Sequence, residues 1–419
     1  MQKLKQKLRT VIIIKKRANT LILSQSKRAA VKRTIILALL AAAVTQQLAQ
    51  AASKPVVTWE PVIPDQVFPS VILSTAAVPP QPGASGILCD PHGTFRVRVK
   101  SSSPSTRVHI EVMVDGFFLA KSSCDAVLKT ADRQYWIAPT PRWDTHKLTF
   151  NDEAFPTTAV ISVKADGENL GQKTVHVQIR AVNDVPTRSV DSKGNLHDYS
   201  HLFAAFVNEN SPIVDQLLHE ALKWHGVSEF YGYNSGRASK EAVRMQVFAI
   251  WNALQHRDVR YSSITRPSAL SDSIQSQSVR FAYQSAGRGE ANCVDGSVLF
   301  ASVLYKIGIS PVLVMKPGHM FVGYYLDEKT KGISHSQRDQ LAFLETTMLG
   351  SGPRPDDQPF DAKQPVITSH SYDEFLAATK KGYEEFWTEV EPNWRDGKSW
   401  YRVLSIDKIR KNGLTPIPR

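Results

Sequence analysis

The chain has 419 residues, with 51 Lys plus Arg against 39 Asp plus Glu and a formal net charge of +12. Eleven of the basic residues and no acid fall in residues 1–33, so the remainder carries 40 basic against 39 acidic side chains. A near-neutral body without a basic stripe interleaved with aromatics excludes nucleic acid as an expected partner, and its length suffices for two ordinary hydrophobic cores.

The basic segment runs into an uncharged apolar stretch, 34–44, and then into Ala49-Gln50-Ala51. A basic start, an apolar centre and a small-x-small ending form the pattern of a secretory signal peptide, here 1–51 with cleavage after Ala51. The apolar centre is short against the roughly 20 residues of a spanning helix. A periplasmic or secreted protein is the expectation. If the leader is retained, the alternative is a membrane-attached protein facing the periplasm. Cysteine usage agrees with export: Cys89 and Cys124 are 35 residues apart and Cys293 is left over, which in an oxidising compartment reads as one structural disulfide and one free thiol.

Residues 52–83 are Pro-rich and patternless, an extended lead-in with a short edge strand at 70–73. From 84 to 183 the pattern alternates. Strands are predicted at 95–99, 108–114, 117–120, 135–137, 147–150, 158–164 and 173–179, with turns at Asp115-Gly116 and Asp166-Gly167. Short strands at this spacing predict an all-β sandwich domain, followed by a linker over 184–210. Helices dominate next. Ser211-Pro212 opens one that carries apolar residues on one face, and 238–256 is a second. The stretch 266–289 is polar and irregular, and just precedes the most informative residue of the chain.

That residue is Cys293. Apolar residues at 294, 299, 300, 303, 304 and 307 have a helical period ending at Gly308. Asn292 caps the start, and Asp295 completes a capping box, so Asp295 is read as a cap and not as a catalytic acid. Cys293 then lies in the first turn, where unpaired N–H groups and the helix dipole favour a thiolate. A strand over 309–315 and a Pro317-Gly318 turn lead to a second strand that begins at His319. A third, 341–347, carries Glu345 inside an apolar run, where a carboxylate needs a partner. A first-turn thiolate, a histidine to move its proton and an acid to orient the histidine make a nucleophilic constellation.

Asn292-Cys293-Val294-Asp295-Gly296, the Pro317-Gly318-His319-Met320-Phe321-Val322 strand and Leu344-Glu345-Thr346-Thr347 resemble the core of the transglutaminase-like superfamily of cysteine enzymes, over about 212–350. The resemblance implies an α+β fold with a papain-like catalytic core at 211–350, and gives Cys293 as nucleophile, His319 as its base and Glu345 as the orienting acid. Glu345 stands where the family usually has Asp, and Phe321 where Trp is common. Gln275, Gln277 and Gln284 are candidates for an oxyanion-hole amide. The remaining segment, 351–419, is read as a polar loop, an aromatic-rich helix from 371 or 372 to about 390, and an extension packed on the core.

No cofactor or metal is expected. His219-Glu220 lacks the second histidine of a zinc-protease helix, position 223 being Lys, and Asp356, Asp357 and Asp361 are not an EF-hand loop. The expected function is an exported thiol protease or amidase that hydrolyses an amide or peptide bond through a Cys293 acyl-enzyme. Its partners would be a protein or peptide substrate, peptidoglycan stem peptides among them. The alternatives are transamidating crosslinking and a non-catalytic peptide- or glycan-binding or scaffold module of the envelope.

Overall fold

The computed structural model describes residues 55–79, 86–191, 193–223, 227–233, 239–263, 273–330, 332–351 and 370–419. The leader and the Asp356, Asp357 and Asp361 loop lie outside the described residues, as does part of 266–289.

The β-rich part begins earlier than residue 84. Val57–Val62 (β1) is a full strand, and Gln66–Val67 (β2) is a short one. Pro69–Thr75 (α1) is a helix started by its proline at the first turn, not an edge strand. The residues 52–83 are therefore no patternless lead-in where they are described. Next come Ile87–Cys89 (β3), Arg96–Ser101 (β4), Thr106–Val114 (β5), Ser122–Leu128 (β6) and Gln134–Ala138 (β7). The predicted strand at 147–150 is instead the helix Thr145–Thr149 (α2), with Asp144 accepting from the Lys147 N–H at its cap. Phe155–Ala165 (β8) and Glu168–Ile179 (β9) close the set. The strand after Asp115-Gly116 is β6 rather than 117–120. Phe117 and Phe118 are buried in the core, so their hydrophobicity reflects core packing and not a strand period.

β1-β4-β7-β3 form one sheet and β2-β9-β8-β5-β6 another. Val97, Val99 and Ile137 of the first share a core with Val108, Ile110, Ile161, Val163 and Val177 of the second. Alternating burial along β4 and β5 supplies the inward faces. A disulfide joins Cys89 on β3 to Cys124 on β6, one from each sheet, with Cα atoms 6.4 Å apart.

Residues 184–210 are not a linker. Asp184–Val190 (β10) and Leu196–Asp198 (β11) are strands, and Ser200–Phe206 is a 3-10 helix whose Leu202, Phe203 and Phe206 are core residues. The apparent polarity of this stretch belongs to positions that face a cavity or pair in a sheet. Arg180, fully buried at the end of β9, pairs with Asp184 at 2.6 Å and pins the two parts together. The chain's tail adds to this joint, with the Thr415 N–H bonded to the Ser74 carbonyl and the Ile417 N–H to that of Ala205.

Pro212–Lys223 (α3) and Lys240–His256 (α4) follow as predicted, then Arg260–Tyr261 (β12). Ile274–Ser278 (β13) and Ala282–Arg288 (α5) give regular structure to part of the stretch read as irregular, and Glu290–Ala291 (β14) pairs with β12. Cys293–Lys306 (α6) is the central helix. Pro311–Lys316 (β15), His319–Tyr325 (β16), Leu341–Leu344 (β17) and Arg402–Ser405 (β18) form an antiparallel sheet in the order β17-β16-β15-β18. α6 covers one face, where Met320, Val322 and Tyr324 point. The helix His370–Glu385 (α7), continued by the wider turn Phe386–Val390, sends Phe386, Trp387 and Val390 against Phe321 and Phe343 on the other. The mixed α+β architecture and the predicted aromatic helix on the core both hold.

A loop of the length closed by Cys89 and Cys124 stabilises a fold by roughly 3–4 kcal/mol on the chain-entropy account. Reduction should therefore lower the melting temperature of the β-rich part. Alkylation of the denatured, unreduced protein should find one thiol, at Cys293; three alkylated cysteines would contradict the disulfide.

Candidate functional site

The first turn of α6 is built as the sequence suggested. The Asn292 side chain accepts from the Val294 and Asp295 N–H groups at 2.8 and 2.9 Å, and Asp295 accepts from the Asn292 N–H at 3.2 Å. Two of the first-turn donors are thus used in the cap, and the Cys293 N–H is not among them. Asp295 is fully buried; burial pushes its carboxyl up, against the Arg280 N–H and guanidinium, both 2.8 Å away, that hold it down. It is a cap, as expected, and also a buried ion-pair partner of Arg280. Cys293 itself is half-buried and unpaired to any other cysteine.

His319 opens β16. Pro317 and Gly318, the latter at φ +70°, make the tight turn between β15 and β16, a Pro-Gly pair suited to a type II turn. This turn holds the histidine at the sheet's end, beside the start of α6. Its ring centroid lies 6.1 Å from that of Phe321.

Glu345 departs from its predicted place in one respect. β17 ends at Leu344, and Glu345 is the N-cap of a 3-10 turn, Thr346–Met348. Continuing the strand would leave its carboxylate among hydrophobic neighbours; turning lets it cap. One oxygen accepts from the Thr347 N–H at 3.1 Å and the Thr347 hydroxyl at 2.6 Å, and the other meets His319 Nε2 at 2.7 Å. Glu345 is completely buried with both oxygens satisfied.

Two glycines make room for it. A Cβ on Gly296 of α6 would come within 3.1 Å of the Thr346 side chain, and one on Gly382 of α7 within 3.1 Å of the Leu344 N and 3.2 Å of the Glu345 N. Each helix approaches the turn that carries Glu345 with backbone alone, at a helix-propensity cost of about 1 kcal/mol per glycine relative to alanine. The Glu345 N–H donates to the Ala378 carbonyl of α7 at 3.1 Å.

The electrostatics follow from this packing. Burial alone would lower the His319 pKa, but hydrogen bonds to Cys293 and Glu345 and the charges of both raise it to about 10. For Glu345, burial pushes the pKa up, but His319 and Thr347 outweigh it and hold the carboxyl below its ordinary value. With Nε2 committed to Glu345, Nδ1 is the ring nitrogen left for the thiol. The arrangement can hold an imidazolium beside a thiolate and carry one proton between sulfur and a second atom.

Cys293 and His319 open onto a cavity of about 270 Å³. Its wall includes Gln275 and Gln277 of β13, so two of the three amide candidates face the site. Gln284 does not: its side-chain oxygen accepts from the Phe281 N–H and the Asn183 amide, both at 2.9 Å. Sequence reasoning missed Arg188, Asp198, Trp400 and Arg402, which also line the cavity; the first two lie in the stretch read as a linker. It missed Tyr261 as well, whose phenol is raised by burial and by the nearby Cys293 and Glu345. An arginine in a strand reading Val-Pro-Thr-Arg was the one available signal.

Donor atoms of His319, Glu345 and Glu385 lie within 4.8 Å of one another. The Lys316 ammonium already pairs with Glu385, and with Glu389 at 2.8 Å. A divalent ion there would have to displace that lysine and take the imidazole from its acid. Among the described residues no helix is long and apolar enough to cross a membrane. No protein-family model matches the chain, and no curated protein sequence matches it.

The pair's share of stability has a defined pH window. His319, raised from 6.5 to about 10, contributes fully below 6.5, and that contribution is lost as the pH climbs through about 10. Glu345, lowered from 4.5, contributes fully above 4.5 and loses its share as the pH falls through its depressed value. The stability gap between wild type and Glu345→Gln, measured by urea unfolding, should be widest between pH 4.5 and 6.5 and narrow on both sides. A gap independent of pH would contradict an ionised pair.

Proposed function

We propose that the protein is a cysteine enzyme of the acyl-transfer type, built on a papain-like, transglutaminase-like core, that hydrolyses an amide or peptide bond. The observation that carries this reading is the His319–Glu345 pair set against a first-turn cysteine at the mouth of a cavity. A buried carboxylate aimed at a histidine is costly to keep in a module that only binds; in a nucleophilic enzyme it orients the base.

In the proposed reaction the Cys293 thiolate attacks the carbonyl carbon, and the C=O electron pair moves to oxygen. The Cys293 N–H, with Gln277 or Gln275 across the cavity, would stabilise that oxyanion. His319, protonated, gives its proton to the departing amine nitrogen as the C–N bond breaks, which leaves a thioester. Neutral His319 then takes a proton from water, the hydroxide adds to the thioester carbon, and collapse releases the carboxylic acid and the thiolate. Glu345 holds the ring and balances the imidazolium in both halves. No step needs a metal or a cofactor.

A small cavity and a single reacting centre favour water as acceptor over a second protein amine, so hydrolysis is preferred to crosslinking. The disulfide in the β-rich part supports export, since such bonds persist in oxidising compartments. We therefore place the enzyme in the periplasm or outside the cell. Secreted proteins, their peptides and peptidoglycan stem peptides are the substrates within reach there.

Two measurements test the reading. At about pH 6–7, Cys293 should react with iodoacetamide much faster than a free thiol, and His319→Ala should slow it by roughly tenfold or more. A peptide library and a muropeptide digest should yield new carboxyl termini with wild type and none with Cys293→Ala, a loss of about a thousandfold or more. Unaccelerated alkylation, or saturable binding of the same peptides unchanged in Cys293→Ala with no cleavage, would replace the enzyme with a binding module.

A further inference from the structure

The cavity that Cys293 and His319 open onto has a second charged end. Arg188 sits on β10 immediately after an irregularity in its pairing with β13, the register shifting between Pro186 and Arg188. Such a bulge re-aims side chains and is common beside active sites; here Thr187 and Arg188 both face the cavity.

Arg188 is 6% exposed. Among the described residues its side chain makes no ion pair or hydrogen bond; its one close charge contact is the Trp400 ring, with the guanidinium carbon 3.0 Å from the centroid. Asp198, the carboxylate nearest to it in the sheet, is already engaged. It accepts from the Ser200 N–H at 2.9 Å and from Arg402 Nε at 2.6 Å. Burial lowers the Arg188 pKa, Asp198 partly offsets this, and the neighbouring Arg402 adds repulsion. An arginine stays charged under such pressure, so the cavity wall holds a buried cation whose own partner is missing. The other Lys and Arg side chains of the wall are balanced, Lys316 by Glu385 and Glu389 and Arg402 by Asp198.

Trp400 is held at φ +81°, in the left-handed region. A non-glycine residue pays strain for that conformation, and such strain concentrates at ligand clamps. The Trp400 ring holds the guanidinium in the cavity wall, and a guanidinium can make a two-pronged contact with a carboxylate.

We infer that Arg188, clamped by Trp400, is a carboxylate-binding subsite, and that the substrate of Cys293 is a short peptide segment carrying a free carboxylate near the bond attacked. This rests on the reading of Cys293 as the reactive thiol. The carboxylate can be a peptide's α-carboxyl terminus or an acidic side chain. Either would balance Arg188, which makes no ion pair among the described residues, and a cavity of about 270 Å³ holds a short segment and not a folded chain.

The test uses three peptide-like alkylating probes and plain iodoacetamide on the full protein, each forming a bond from the Cys293 sulfur to carbon with loss of iodide. N-Iodoacetylglycine carries a terminal carboxylate, the α-amide of N-iodoacetyl-aspartic acid carries only the side-chain carboxylate, and N-iodoacetylglycinamide is neutral. Plain iodoacetamide reports the thiol's own reactivity. At least one acid should react about tenfold faster than the neutral amide, a ratio that one charge-assisted contact can supply. Arg188→Gln should bring that ratio near one while leaving the iodoacetamide rate unchanged. Preference for the glycine acid assigns a chain terminus, and preference for the aspartyl probe assigns a side chain. Equal rates for acid and amide in wild type would overturn the subsite whether or not the variant folds, and so would a ratio that Arg188→Gln does not alter. A slow iodoacetamide reaction would instead count against Cys293 as an activated thiol and leave the ratio to judge the subsite separately.

Discussion

Everything proposed for this protein depends on one buried contact, His319 Nε2 against a Glu345 oxygen at 2.7 Å. A carboxylate with no exposure is affordable only where its charge is matched and its lone pairs are filled. The fold meets that demand from three sides. The 3-10 turn offers Thr347, β16 offers His319, and α7 accepts the Glu345 N–H. Gly296 and Gly382 then let two helices close over the pair. The result is a histidine whose orientation and charge are fixed before any ligand arrives, next to the helix start that carries Cys293.

The same logic explains why the site is a composite. α6 contributes the cysteine, the β15–β16 turn the histidine and the end of β17 the acid. The opposite wall comes from β10, β11 and β13, a small sheet separate from both the β-rich part and the β17-β16-β15-β18 sheet. The Arg180–Asp184 ion pair, buried where β9 passes into β10, anchors this wall to the sandwich. The β-rich part is thus the footing on which one side of the cavity stands, and not only an appended module.

Much of this was legible in the sequence, and what was not has identifiable causes. Cys293, Asn292 and Asp295 were readable because capping is a local matter, decided within four residues. β8 and β9 were readable because alternation and the Asp166-Gly167 turn agree. β10 was missed because a strand that pairs at both edges with short, polar strands shows no hydrophobic period, and because Pro186 reads as a breaker when a bulge accommodates it. α1 and α2 were read as strands because stretches of five to seven residues do not distinguish a period of two from one of 3.6. Glu345 was placed in a strand because its apolar run gives no sign that the chain turns at the carboxylate. Gln284 looked like Gln275 and Gln277 in sequence, and only tertiary packing assigns it to Asn183. Arg188 lies more than two hundred residues before Trp400 and Arg402, and meets them through topology that no local pattern encodes.

The central claim is that His319 is held as an imidazolium against the buried Glu345 carboxylate, beside Cys293. The direct measurement is the titration of the His319 ring by NMR in the full protein, with nitrogen-15 in the histidines and His319→Gln to assign its signals. The account predicts that His319 stays protonated through neutrality and titrates near 10. Titration near the ordinary 6.5, with both ring nitrogens showing a neutral tautomer at pH 7, would contradict it.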